Sequence, residues 1–298
     1  MNGIFDEIKD SFRRGGTLIQ LIYINLAVFL VVKLIFVFLF MGNMSDSTTA
    51  VVRFLALPAS LPVLITKPWT LITYMFLHTR FLHILFNLLW LYWFGKIFLM
   101  YLTPKQMLSV YILGGLSGAA LYILAYNTLP VFENILPVSY ALGASAAVMA
   151  IGIATAVYLP DFTINLMFIG QVKLKYLAMV FVVLDILSIA SDNAGGHIAH
   201  LGGALFGYLY IVQYRKGKDL GKGFNNMMDG VVSLFSSRKK MHVTYRKTEK
   251  IKEETDWDYN KRKREEQKTI DEILEKIAKS GYESLSKKEK EILFKASK

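Results

Sequence analysis

Long apolar runs separated by short polar breaks dominate the chain as far as about residue 214. Crossing a hydrocarbon core about 30 Å thick takes about 20 mostly apolar helical residues. Six stretches meet that requirement, at 18–41, 82–101, 107–127, 139–158, 173–191 and 197–214. Each predicts a membrane-spanning helix, and only a Ser-Asp-Asn-Ala-Gly-Gly turn joins the fifth to the sixth. The segment 42–68 reads differently. Pro58, Pro62 and Pro68 forbid a continuous helix, and Leu, Val and Phe with few charges predict an interfacial or partly embedded loop. Trp69 and Tyr74 are expected as aromatic anchors at the interface.

Beyond residue 214 the pattern changes. Phe224, Met227, Met228, Val231, Val232 and Phe235 recur at helical spacing ahead of Arg238-Lys239-Lys240. This predicts an amphipathic helix lying on the cytoplasmic leaflet. Residues 241–265 are strongly charged and expected to form a flexible linker, with Lys261-Arg262-Lys263-Arg264 as a solvated or lipid-facing run. Ile270, Ile273, Leu274 and Ile277 form an apolar stripe that stops before Gly281, and Ser286-x2-Glu289 is a capping box opening a second short helix. The expected divisions are a cytoplasmic N-terminal segment (1–17), a six-helix membrane domain (18–214), an amphipathic and basic linker (215–265) and a small cytoplasmic helical hairpin (266–298). The fold class is an all-α membrane protein.

Composition sharpens this picture. Hydrophobic residues make up 54% of the 298, above the roughly 45–50% of soluble domains. The net charge of +11 is mostly a property of the tail. Beside a membrane domain it points to anionic lipid headgroups rather than nucleic acid. The absence of cysteine excludes disulfides, a thiolate nucleophile and Cys-ligated metal. Asp6, Glu7 and Asp10 precede the first apolar run and no small-residue cleavage site follows it, so that run reads as a retained transmembrane helix rather than a signal peptide.

Lys9, Arg13 and Arg14 precede the first span, Lys105 lies between the second and third, Lys173 and Lys175 lead into the fifth, and the basic tail follows the sixth. The other side has Arg53 and Lys67 in its long loop and no Lys or Arg at 128–138 or 192–196. Both termini are therefore expected in the cytoplasm. Ser145 and His200 then fall near the outer ends of spans four and six, at a shared depth.

Four of the five histidines fall at two places: His78 and His83 entering the second span, His197 and His200 entering the sixth. Asn87 follows His83 at i+4 and shares its helical face. Gly203 and Gly207 lie on the face of His200, and small residues at that spacing let membrane helices approach closely. Gly143-Ala144-Ser145-Ala146 offers a comparable small surface around a serine. Three readings stand. Each histidine is a helix-terminal polar residue satisfied by backbone carbonyls. Alternatively, the four imidazoles, with Asp192 as the nearby carboxylate, form a metal site or line a transport path. In the third reading, Ser145 is a nucleophile and His200 its base. The Ser145 N–H, the Asn87 amide and the His83 imidazole are then available as oxyanion donors. That reading needs no aspartate, because packing can orient the imidazole. The glycine spacing selects His200 over His197, whose own +3 and +7 positions are His200 and Ala204.

With those residues in view, the chain resembles the rhomboid intramembrane serine proteases. His83-Ile84-Leu85-Phe86-Asn87, followed by Leu88-Leu89-Trp90, is similar to the family's second helix. Gly143-Ala144-Ser145-Ala146 is similar to its Gly-x-Ser-Gly nucleophile motif, and Gly195-x3-Ala199-His200-x2-Gly203-x3-Gly207 matches its base motif. The resemblance covers about residues 18–214 and implies a six-helix bundle whose active site opens to the outside. It implies Ser145 as nucleophile, His200 as general base and then acid, and His83, Asn87 and the Ser145 N–H as the oxyanion hole. It also implies His78 as a supporting histidine, no cofactor and no metal. The substrates implied are single-span or other membrane proteins, cleaved in or beside their transmembrane segments. The helical tail resembles one found on some bacterial rhomboids, which implies a bacterial inner membrane. Three departures stand out: Ala146 replaces a glycine, Met149 stands where an aromatic residue often packs on the histidine, and the first loop has no adjacent Trp-Arg pair. A catalytically inactive relative that binds and escorts membrane helices is the chief alternative, although that class usually lacks the nucleophile or the base.

Lys33 and Asp185 sit inside predicted spans, where charges are costly. A salt bridge between them, snorkelling, or contact with the active-site cavity are all open. Asp185, on the fifth helix, is placed to influence gating beside the site.

Overall fold

The computed structural model describes residues 3–166, 170–191, 193–235 and 256–296. Residues 1–237 and 238–298 form two compact units.

In the first unit, helix α1 (Ile4–Arg14) leads into the 26-residue α2 (Gly16–Met41), followed by α3 (Ser47–Leu55), α4 (Leu61–Thr66) and α5 (Thr70–Thr73). The bundle continues with α6 (Phe81–Leu99), α7 (Pro104–Thr128), α8 (Ser145–Tyr158), α9 (Leu174–Leu187) and α10 (Ala194–Arg215), and ends with α11 (Lys222–Phe235). All six predicted spans contain a helix. Among the described residues α2, α6 and α7 are long and apolar enough to cross a membrane, while α8 and α9 have 14 residues each. The all-α expectation needs a small correction. Strand β1 (Leu57–Pro58) pairs antiparallel with β2 (Tyr140–Ala141), and β3 (Thr163–Leu166) with β4 (Gly170–Lys173).

The β1–β2 pair corrects the fourth span. Residues 139–144 are not helical. Residues 139–141 run extended, with Ala59 N–H donating to Ser139 O (3.0 Å), and a bend at Gly143 and Ala144 follows, with Gly143 N–H donating to Tyr74 O (2.8 Å). The helix therefore starts at Ser145 itself. The proline-rich loop breaks as expected, but into short helices. Trp69 keeps an exposed edge while its Nε1–H donates to Phe54 O at 2.8 Å. Tyr74 is no interfacial anchor: it is buried and its hydroxyl donates to Gly115 O on α7.

Helices α7, α8 and α10 pack most closely, around Met107, Tyr111, Tyr122, Ile151, Ala154, Ile198 and Tyr210. A complete capping box starts α7, with Thr103 and Gln106 bonding reciprocally. Helix α9 is attached more lightly. Met179, Val180, Val183, Leu184, Ile186 and Leu187 are exposed on it, whereas Leu174, Leu177 and Asp185 are buried. An apolar exterior of this kind is at home in lipid.

Amphipathic α11 is a helix as expected and is tied to α7. Lys105 Nζ meets Asp229 at 2.7 Å, and Ser109 Oγ donates to Asn225 Oδ1 at 2.8 Å. The second unit pairs α12 (Asp256–Ser280) with α13 (Lys287–Ala296), so helix begins inside the stretch read as linker. Residues 236–255, which include Arg238-Lys239-Lys240 and the first part of the 241–265 stretch, lie outside the described residues. The Ser286–Glu289 capping box is present: Ser286 N–H donates to Glu289 Oε2 at 2.6 Å, and Glu289 N–H to Ser286 Oγ at 3.4 Å.

Candidate active site

Because the extended segment 139–141 turns at Gly143 and Ala144 into α8, Ser145 occupies the first helical position. The first N–H groups of a helix lack intrahelical acceptors and carry the positive end of its dipole. Ser145 thus stands where backbone donors cluster. The turn before it depends on Gly143, whose φ is +119°; glycine adopts this conformation without a Cβ penalty. A Cβ there would lie 2.7 Å from His83 Cε1, so the His83 ring packs directly over the Gly143 backbone.

His78 supports the same turn. It is fully buried, its Nε2 accepts the Ala144 N–H at 3.2 Å, and its Nδ1 lies 3.2 Å from Phe76 O. A carbonyl only accepts, so His78 carries its proton on Nδ1. The His78 and His83 rings meet edge-on at 5.1 Å. Asn87, one turn after His83, donates one amide proton to His83 O at 2.9 Å. The second amide proton is available to another acceptor.

The close contact between α8 and α10 rests on glycine. A Cβ on Gly203 would overlap Ala146 O, and one on Gly207 would overlap Ala150 O. The methyl of Ala146, one of the three departures, faces α7: a Cβ on Gly118 would lie 2.6 Å from it. Ala146 does not line the cavity described next, whereas Met149 does.

Ser145 and His200 face one cavity of about 230 Å³. Asn87 and Asp185 join them, on walls formed by Trp90, Phe94, Met149 and Phe181. Trp90 of α6 meets Phe181 of α9 edge-on at 4.7 Å. The cavity therefore lies between α6, α8, α9 and α10, and is mostly apolar with a few convergent polar groups.

Asp185 lines the cavity, one of the alternatives left open for it in the sequence, and its bonds to two histidines were not foreseen there. Its Oδ1 lies 2.9 Å from His200 Nδ1 and 2.7 Å from His197 Nδ1. The expected alternative, a salt bridge with Lys33, is not formed. Lys33 Nζ instead lies 5.7 Å from the ring centres of Phe29 and Phe36 on its own helix. The only linear signal was a carboxylate within an apolar run.

The four histidines do not converge on one ligand set. Among the described residues, Asp185, His197 and His200 are the potential metal ligands whose donor atoms lie together, within 4.8 Å of one another. Both Nδ1 atoms in that group are engaged with the carboxylate. Asp192 lies outside the described residues.

A family model described as the Rhomboid domain matches residues 66–217. The chain belongs to the rhomboid family. The matched region contains every site residue named above and begins after α2. A curated relative, RHOMBOID-like protein 12, mitochondrial, from Arabidopsis thaliana, is 31% identical over 158 residues, which is 50% of this chain and 47% of that protein. The chain thus spans about half the length of that relative. A second family model, described as a family of unknown function (DUF6576), matches residues 253–298. With its apolar helices, this rhomboid is an integral membrane protein.

Proposed function

We propose that this rhomboid is an intramembrane serine endopeptidase, with Ser145 as nucleophile and His200 as general base. The observation that carries the reading is the shared cavity: a serine at a helix start and an imidazole from another helix face one partly open, largely apolar space. A carboxylate on His200 Nδ1 requires the proton there, which leaves the Nε2 lone pair for the Ser145 hydroxyl.

As Ser145 Oγ attacks a peptide carbonyl, its proton passes to His200 Nε2 and the carbonyl π pair moves onto oxygen. The Ser145 N–H, the His83 imidazole and the unspent Asn87 amide proton are the donors proposed for that oxyanion. His200 then returns the proton to the leaving amine as the C–N bond breaks. Water, activated by the same imidazole, releases the acyl group as a carboxylic acid. His78 and Gly143 keep the turn before Ser145 in shape, and Gly203 and Gly207 bring His200 to it. No step calls for a cofactor or metal.

The proposed substrates are single-span or other membrane proteins, since the cavity walls belong to helices with apolar outer faces. The proposed architecture is a six-span domain over 18–214 with flanking segments 1–17, 215–265 and a helical tail 266–298. Both termini are cytoplasmic in this reading, and the site opens on the opposite face. The balance of Lys and Arg between connections supports this orientation. The basic tail would lie near anionic headgroups, and the tail's resemblance supports a bacterial inner membrane.

The test is to incubate the purified chain, in detergent or liposomes, with a panel of single-span substrates. Cleavage is expected, and must vanish with Ser145→Ala and with His200→Ala. Substrate binding without cleavage by the unaltered chain would overturn the reading in favour of an inactive, helix-escorting rhomboid.

A further inference from the structure

We infer that Asp185 is a positioning residue for His200, and that His197 holds its carboxylate from a second side. The inference rests on the proteolytic reading above and adds a third and a fourth member to the Ser–His pair. Three observations carry it. First, one carboxylate oxygen accepts from both imidazoles, at 2.9 Å from His200 Nδ1 and 2.7 Å from His197 Nδ1. An ionised carboxylate only accepts, so both rings are held with the proton on Nδ1. For His200 this fixes the form whose Nε2 can take a proton. Second, Asp185 is 6% exposed, and its other oxygen, Oδ2, has no hydrogen-bond partner among the described residues. The two rings are therefore its visible hydrogen-bond compensation, and a charge so placed acts strongly on a neighbouring imidazole. Third, Asp185 and His200 both line the cavity, while His197 does not. His197 thus acts on the carboxylate and not on substrate.

These positions divide the work. When the Ser145 hydroxyl proton moves to His200 Nε2, the ring becomes a cation beside the buried carboxylate. Asp185 keeps its negative charge and His200 keeps its Nδ1 proton. The Nε2 proton then leaves with the amine, and the neutral, correctly oriented ring is restored. His197, one helical turn before His200, restrains the carboxylate so that it cannot rotate away from the base. The link also crosses from α9 to α10, so the orientation of the base depends on where the lightly attached α9 sits.

A merely structural staple between α9 and α10 predicts something different, and Asp185→Asn separates the two. The amide keeps the shape and the hydrogen-bonding capacity but loses the charge. We expect Asp185→Asn to fold like the unaltered chain and to lose about 10²-fold or more in kcat with KM little changed. Asp185→Ala should lose at least as much, and His197→Ala should lose less than either. Two readouts independent of cleavage accompany the kinetics. In the 15N spectrum of histidine-labelled protein without substrate, His200 should carry its proton on Nδ1, and this signature should weaken in Asp185→Ala. Labelling of Ser145 by a fluorophosphonate should slow in parallel with kcat. If the unaltered chain cleaves and labels while Asp185→Asn and Asp185→Ala do so at the same rate, the inference falls and the protease reading stands. If the unaltered chain neither cleaves nor labels, the protease reading falls and takes this inference with it.

Discussion

Gly203 on α10 faces the backbone carbonyl of Ala146 on α8 so closely that a single added methyl would overlap the oxygen. Ala146 directly follows the proposed nucleophile, and Gly203 lies one turn after the proposed base. The seam that brings the two chemistries together is thus a backbone-to-backbone contact. Gly203→Ala should force α8 and α10 apart, since the neighbour is main chain and not the end of a flexible side chain. The expected cost is about 1–3 kcal/mol of stability, read by thermal unfolding in detergent, together with loss of cleavage that exceeds the fraction unfolded.

Gly143→Ala should act at the site more than on the fold. The position has φ +119°, and the new methyl would lie 2.7 Å from His83 Cε1. The ring must move, which displaces one proposed oxyanion donor. A kcat reduction of about 10²-fold is expected, the size of one such donor lost. Steady-state kinetics with a cleavable substrate would check it, and a drop confined to KM would count against His83 as a donor.

His78→Ala should be costly in a different way. It removes the acceptor of the buried Ala144 N–H, and an orphaned buried donor costs about 1–3 kcal/mol. Stability and kcat should fall together, because Ala144 immediately precedes Ser145. Unchanged kcat in a destabilised variant would separate His78 from the positioning of the nucleophile.

In the tail, the Lys276 ammonium beside Glu289, with help from the Ser286 hydroxyl and backbone N–H, holds the Glu289 carboxyl down to about 2, against an ordinary 4.5. The sign follows from the lowered folded value. The stabilisation is fully present above about pH 4.5 and is lost as pH falls through about 2. The 13C resonance of the Glu289 carboxylate should therefore titrate near 2 in the intact chain, and Lys276→Ala should move its midpoint upward. A midpoint near 4.5 in the unaltered protein would show that the pair does not hold in solution.

Much of the candidate site was legible along the chain because lipid imposes a one-dimensional rule. Helix length and apolar run length coincide, so a serine and a histidine near matching ends of two runs share a depth. Glycines at i+3 and i+7 from His200 pointed to the close seam. Two things were not legible. The start of α8 at Ser145, rather than at 139, depends on the extended residues 139–141 bonding to 57–59 and on Gly143 bonding to Tyr74. An apolar residue reads the same whether it lies in a helix or in a buried strand. Tyr74, taken for an interfacial anchor, instead points inward, where its hydroxyl donates to the carbonyl of Gly115.

The partner of Asp185 marks the boundary most clearly. The sequence by itself determined a chain of apolar helices, a costly carboxylate inside one of them, and a serine and a histidine near matching ends of two apolar runs, because burial in lipid constrains residue type along each helix axis. Tertiary structure alone decided that Asp185 faces His197 and His200 rather than Lys33. That choice depends on how α9 is rotated and where it leans against α10, and hydrophobic periodicity is silent on rotation when nearly every position of a helix is apolar.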